Sequence, residues 1–214
     1  MIQHLADFFR EGGPFMFVNL VASAVAVAVI VERFVALGFK LNVDAGPFVG
    51  KVVEDVRAGR VAAAEQFAAA AGKAPLAAVL RSGLAAHQRG EDVAGALEEA
   101  VLDATPLVSK RISSLWSLAN IATLLGLIGT ITGLIGTFKS LGAASPEMKQ
   151  LMLSRGISEA MNNTAFGLGI AVTCIVAHLM LTSKSKAMVE EIEASALKLE
   201  NALAAAPAVQ ARGA

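Results

Sequence analysis

Residues 112–138 are 27 uncharged residues in a row, ISSLWSLANIATLLGLIGTITGLIGTF. About 20 apolar residues suffice for a helix to cross a bilayer, so this run can span one. A plain lipid anchor does not need its internal pattern. At about 100° per residue, Thr123, Thr130 and Thr137 stack on one line, Gly126 and Gly133 on the next, and Gly129 and Gly136 on the one after. Together they fill an arc of roughly 140° with small or hydroxyl side chains only. Leu124, Leu127, Ile128, Ile131, Leu134, Ile135 and Phe138 take the opposite side. Two causes account for this segregation. One is a close-packed helix interface of the GxxxG type, here Gly129 to Gly133. The other is a polar pathway. The two are compatible.

The rest of the composition narrows the class. Hydrophobic residues make up 55% of the 214-residue chain, above the about 45–50% of soluble domains even with glycine counted. Formal net charge is zero, so no basic footprint points to nucleic acid. The single cysteine, Cys174, lies in an apolar run and permits neither a disulfide framework nor a CxxC metal site within one chain. No cleavable signal pattern is expected, because Asp7, Arg10 and Glu11 precede the first apolar run. No metal-ligand cluster, nucleophile motif or phosphate loop is found, so an enzyme, a metal or a cofactor is not expected.

Three runs reach or approach spanning length: 15–31, continued past Glu32–Arg33 by 34–39, then 112–138 and 160–183. A fourth candidate, 61–80, is interrupted by Glu65, Gln66, Lys73 and Pro75. The chain is thus expected to be an all-α membrane protein with transmembrane helices at 15–39, 112–140 and 156–183. Three spans place the termini on opposite sides. Arg10, Lys139, Lys149 and Arg155 fall on the N-terminal side, and the other fourteen of eighteen lysines and arginines on the far side. The excess of basic residues marks the cytoplasm, so the N-terminus is predicted outside and the C-terminus inside.

Between and around the spans the pattern is helical. Residues 1–14 read as an amphipathic helix at the outer surface, ended by Gly12, Gly13 and Pro14. Residues 40–111 read as a cytoplasmic helical region. Asn42 or Asp44 can cap a helix through Arg57, with Gly59 as its stop. A second covers 61–71, closed by Gly72. Pro75 opens a third that ends before Gly90, and Asp92 caps a fourth from Val93 onward. These helices are short and alanine-rich. They are expected to pack as extensions of the membrane helices and against neighbouring subunits, not as a self-sufficient domain. Residues 141–155 are expected to be a periplasmic loop. Residues 184–203 read as an amphipathic prolongation of the third span, with Met188, Ile192, Leu199 and Leu203 as its apolar stripe. The end of the 184–214 segment is expected to be a disordered tail.

The third span has a polar side of its own. Counted at about 100° per residue, Asn163, Cys174, Gly167, Ala171 and Thr164 follow Glu159 in that order around the helix, all within an arc of roughly 140°. Yet no ionisable group sits at the middle of any span, and beyond Asp103 the only carboxylate within reach of the membrane is Glu159. A charge at mid-membrane is costly without a site. If the chain conducts ions, a partner must supply the central carboxylate, and Thr130 and Thr164 can hydrogen-bond it or its water. Plainer roles compete. Glu159 and Asn163 suit an interface near a helix start, where an acid favours the dipole. Glu32–Arg33 suits the interfacial end of a span. His178 and Cys174 suit packing, and Lys139 suits snorkelling.

Residues 123–138 (TLLGLIGTITGLIGTF), followed by 156–167 (GISEAMNNTAFG), resemble the MotA/TolQ/ExbB proton-channel family. The three-span layout, the outer N-terminus, Glu32–Arg33 and the stretch Lys73–Ala74–Pro75 with Gly83–Leu84 resemble its TolQ/ExbB branch. The resemblance implies a homo-oligomeric, pentameric ring in the bacterial inner membrane around a dimeric ExbD/TolR-like partner. That partner has one span and a transmembrane aspartate. Proton flow would then drive an envelope machine through a possible third, envelope-spanning effector. It also implies an ion path at Thr130, Thr164 and Glu159, with Asn163 beside them. Gly126, Gly129, Gly133, Gly136 and Gly167 are the expected helix-packing residues. Thr123 stands where many relatives have proline, and so does Thr173 in Ala171–Val172–Thr173, which implies straighter helices here. The alternative reading is a non-conducting oligomeric scaffold.

Overall fold

The computed structural model describes residues 13–72, 74–142 and 145–205. Among them run α1 (Gly13–Val35), continued by a π-helical turn at Ala36–Lys40, then α2 (Ala45–Arg57), α3 (Val61–Ala70), α4 (Pro75–Arg89), α5 (Val93–Ser109), α6 (Ile112–Leu141) and α7 (Pro146–Ala205). The expected surface helix lies outside the described residues except for Gly13 and Pro14, which open α1. The expected tail beyond Ala205 lies outside them too. Three helical stretches, Gly13–Arg57, Val93–Leu141 and Pro146–Ala205, are long and apolar enough to cross a membrane.

Local chemistry explains most of the boundaries. Asp92 Oδ1 accepts the Ala94 amide at 3.1 Å and caps α5. Pro75 opens α4, and Gly90 ends it with φ +69°, a left-handed conformation that glycine adopts without a Cβ penalty. Asp44 precedes α2 but makes no side-chain cap bond. The connection after α6 is shorter than the expected 141–155 loop. The Ser145 carbonyl already accepts the Met148 and Lys149 amides, and Pro146, which has no amide to leave unpaired, suits the first helical position. Glu159 therefore lies well inside α7, and a role at the helix start does not apply to it.

The chain divides into two compact units: the residues up to Glu32 with Arg111–Met180, and Arg33–Lys110 with the chain from Leu181 onward. In the first, α1, α6 and α7 meet over a core in which the small side chains of Ala26, Ala119, Ala122, Ala171 and Cys174 surround Ile170. Lys110 and Arg111 precede α6. Arg111 takes φ +60°, rare for a residue with a Cβ, and its guanidinium pairs with Glu32 at 2.6 Å. In the second unit, Arg33 donates to the Lys110 carbonyl at 3.1 Å. Glu32 and Arg33 thus each bond to the residues just before α6.

The second unit has a core of its own, which residues 33–110 build together with the end of α7. Val52, Val56, Val79, Leu80, Leu84 and Val108 are fully buried, and Phe48 stacks on Phe67 at 5.3 Å. The end of α7 adds its predicted stripe of Met188, Ile192, Leu199 and Leu203, all buried. Alanine-rich helices pack closely enough for this small core, as Gly83 against Leu97 shows: a Cβ on Gly83 would lie 2.6 Å from Leu97 Cδ2. A buried charge cluster ties α2 to the turn after it. The Asp55 side chain is 7% exposed, and Arg60 Nε donates to its Oδ1 at 3.1 Å. The Arg60 hydrogen bond, assisted by Lys51, holds the Asp55 carboxyl below its ordinary range despite its burial.

Small residues also set the α6–α7 contact. A Cβ on Gly167 would lie 2.5 Å from the Ala122 oxygen and 3.1 Å from Gly126 Cα. One on Gly126 would sit 3.3 Å from Thr164 Cα, and one on Gly133 3.5 Å from Ala160 Cβ. Further along, Gly156 leaves room for the Thr137 side chain. The antiparallel contact line runs along α6 in steps of three or four residues, through 122, 126, 130, 133 and 137. Gly136 is off that line and meets nothing within 4 Å, unlike the other expected packing glycines.

Gly167→Ala is expected to force α6 and α7 apart and cost about 1–3 kcal/mol, the usual range for overpacking. Gly136→Ala is expected to be neutral or to gain up to about 1 kcal/mol of helix propensity. Unfolding in detergent measures both. Because Asp55 titrates below its unfolded value, its contribution is present above about pH 4 and is lost as pH falls through the native value. Hydrogen exchange in α2 and α3 should accelerate on acidification in the wild type, with a much weaker pH response in Asp55→Asn.

Candidate functional site

Within the first unit, the polar groups of α6 and α7 do not all behave alike. Thr123, Thr137 and Thr173 donate to carbonyls of their own helix, four residues back, at 3.0, 2.9 and 2.9 Å. Thr132 does the same at 2.8 Å. These bonds satisfy the hydroxyl locally and join nothing to a neighbour. Thr130 and Thr164 are different. Their hydroxyls contact each other across the two helices. Thr130 can also donate to the Ala160 carbonyl of α7 at 3.2 Å, or to its own Gly126 carbonyl at 3.1 Å. Thr164 reaches the same Gly126 carbonyl from α7 at 3.0 Å.

Asn163 joins this cluster from behind. It is 1% exposed, and its Nδ2 donates to the Gly126 carbonyl at 3.4 Å. The amide lies over Gly129, where a Cβ would overlap it. Asn19 of α1, fully buried, donates through Nδ2 to Asn163 Oδ1 at 3.1 Å. The sequence reading did not single out Asn19. The signal was there, since it is the only amide side chain in the apolar run 15–31.

Glu159 occupies a separate place. It lines a cavity of about 440 Å³ with Arg155, Thr132, Thr137, Ser140 and Gly13 among others. Its carboxylate lies beside Gly13, whose φ of +68° and missing Cβ leave it room. Gly129, Gly133 and Gly136 also line the cavity, whereas Thr130 and Thr164 do not. Of the expected ion-path residues, the fold therefore brings Thr130, Thr164 and Asn163 into one hydrogen-bonded group. Glu159 borders that group through Gly129, which touches both the cavity and the Asn163 amide.

At the other end of the unit, His178 Nδ1 bonds to the Ile112 carbonyl at 3.0 Å, and its ring lies 6.0 Å from that of Trp116. Cys174 is buried in the small-residue core. Both have packing roles. Around the unit, α6 turns Leu124, Leu127, Ile128, Ile131, Ile135 and Phe138 outward, 44–62% exposed. Large apolar faces of this extent belong against lipid or other helices. No group of three or more metal-ligating side chains is present among the described residues.

Hydroxyls and amides bonded to one another between helices can pass or orient a proton but cannot hold a charge themselves. No curated protein matches the chain. The model of the MotA/TolQ/ExbB proton channel family matches residues 71–194, more than half of the chain and all of α6. This chain is a member of the MotA/TolQ/ExbB proton channel family.

Proposed function

We propose that the protein is a proton-conducting motor subunit of the TolQ/ExbB branch, seated in the bacterial inner membrane with its N-terminus in the periplasm and its C-terminus in the cytoplasm. It assembles as a pentamer around an ExbD/TolR-like single-span partner. That partner supplies the transmembrane aspartate, and proton flow down the electrochemical gradient is turned into mechanical work on an envelope machine such as a transport, envelope-integrity or motility system.

One observation carries this reading. The two threonines that bond across α6 and α7 form a polar group inside an apolar bundle, and the carboxylate one turn away on α7, Glu159, lines a cavity that includes neither threonine. A proton path with no carboxylate of its own needs one from another chain. The three apolar stretches and the family membership support the same reading. So does the distribution of lysine and arginine, which sets the orientation.

A second reading, the non-conducting scaffold, draws on the fact that both hydroxyls find acceptors inside the subunit. Flux measurements separate the two. The protein is co-expressed with a single-span partner encoded beside it, purified and placed in vesicles under a pH gradient. Partner-dependent proton flux is expected, and an aspartate-to-asparagine change in the partner's span should abolish it. Thr130→Val and Thr164→Val should each lower flux at least about tenfold, a barrier change of roughly 1.4 kcal/mol, with the oligomer intact on size exclusion. Flux at the wild-type rate in both variants, or none in the wild type, would favour the scaffold.

A further inference from the structure

The Gly126 carbonyl is over-subscribed. A carbonyl oxygen has two lone pairs. The helical ladder already directs the Thr130 amide to it. Three side-chain donors then compete for the remaining place: Thr130 at 3.1 Å, Thr164 at 3.0 Å and Asn163 at 3.4 Å. Each threonine has one hydroxyl proton to give. The pair therefore has two self-consistent arrangements. In one, Thr130 donates to Thr164 and Thr164 donates to Gly126. In the other, Thr164 donates to Thr130 and Thr130 donates to Ala160 at 3.2 Å. The two differ in the direction in which the hydroxyl chain points.

Asn163 decides between them. When its Nδ2 takes the free lone pair of Gly126, the first arrangement loses its final acceptor and the second is selected. Asn163 can do so only if its amide is turned the right way, and Asn19 turns it. The Asn19 Nδ2 donates to Asn163 Oδ1, which leaves the Asn163 Nδ2 pointing at Gly126. Asn19 gains little for itself. Its own Oδ1 is buried without a hydrogen-bond partner among the described residues, although buried polar atoms are nearly always paired. A fully buried amide left half-satisfied inside an apolar span is better explained by what it does to Asn163 than by its own stability.

We infer that Asn19, acting through Asn163 and the Gly126 carbonyl, is a positioning residue that orients the Thr130–Thr164 hydroxyl pair for one direction of proton hand-over. This rests on the proposed conducting role, but the arrangement itself can be tested without it. Asn19→Leu keeps the side chain's approximate volume and removes its donor. Asn163→Ala removes the competing donor, and the double variant leaves neither amide behind. The assembled complex is labelled with carbonyl-¹³C glycine and ¹⁵N leucine, which selects Gly–Leu pairs, and Leu127→Ile identifies the Gly126 signal by its disappearance. The Gly126 carbonyl resonance is expected to shift in both single variants as the Thr164 hydroxyl, at 3.0 Å, replaces the Asn163 amide, at 3.4 Å, as its side-chain donor. Partner-dependent proton flux in vesicles is expected to fall about fivefold in each, the rate equivalent of one net hydrogen bond. The double variant should fall no further than Asn163→Ala alone.

A purely structural pair predicts otherwise: the double variant would conduct at the wild-type rate, because neither amide remains to be left unpaired. That result overturns the inference, as does an unchanged Gly126 resonance in Asn163→Ala. Should the wild-type complex carry no flux, the conducting role fails, and with it the hand-over that Asn19 is said to direct. The Gly126 resonance would then report only whether the amide geometry exists.

Discussion

Everything at the candidate site depends on how closely α6 and α7 approach at Gly126 and Gly167. With a Cβ on Gly167 only 2.5 Å from the Ala122 oxygen, no other residue fits there without separating the helices. That proximity is what lets a hydroxyl on one helix reach a carbonyl on the other. The hydroxyls themselves are not what holds the helices together. Interhelical hydrogen bonds in membranes are worth only about 0.6–2 kcal/mol each, and Thr130 has an acceptor on its own helix as well as across. Packing of small residues brings the helices together, and the polar bonds follow from it.

The same economy explains why the site lacks a charge. A carboxylate in the middle of α6 or α7 would be buried in a contact with no room for water and no cation beside it. Neutral groups can stay there permanently, each hydroxyl having more than one acceptor nearby. Glu159 is the instructive contrast. It is half-buried, beside a cavity of about 440 Å³ that also contains Arg155, where water and a counter-charge are within reach. The second unit follows different rules. Among its described residues the deeply buried carboxylate of Asp55 is held by Arg60 and Lys51, as a buried charge must be.

Much of this was legible in the sequence because helix boundaries are local chemistry. Asp92 before Val93, Pro75 and Gly90 around α4, and Gly72 after α3 each act within one turn of the residues they control. The stripe Met188, Ile192, Leu199, Leu203 was readable because period alone reveals which face is buried. Less legible was what depends on a neighbour. Residues 146–155 contain Lys149 and Arg155 and lie outside the uncharged run 160–183, yet they continue α7 because Ser145 and Pro146 start it. That the alanine-rich segment 40–111 shares a core with the end of α7 depends on small side chains that let α4 and α5 come close. Gly136 shares a helical line with Gly129, and only the run of the α6–α7 contact shows that it has nothing to pack against.

By itself the sequence determined the three apolar stretches, the absence of a mid-span charge and the sorting of threonine and glycine to one side of α6. These are properties of composition and period, and they hold whatever the helices later touch. Only the tertiary structure decided which threonines matter. Thr123, Thr130 and Thr137 lie on one line, yet Thr130 alone faces a hydroxyl on the neighbouring helix. Only the structure, too, brought Asn19 to Asn163 across 144 residues of chain. A hydrogen bond needs two groups within about 3 Å, and one strand of sequence carries no information about which distant partner will be that close.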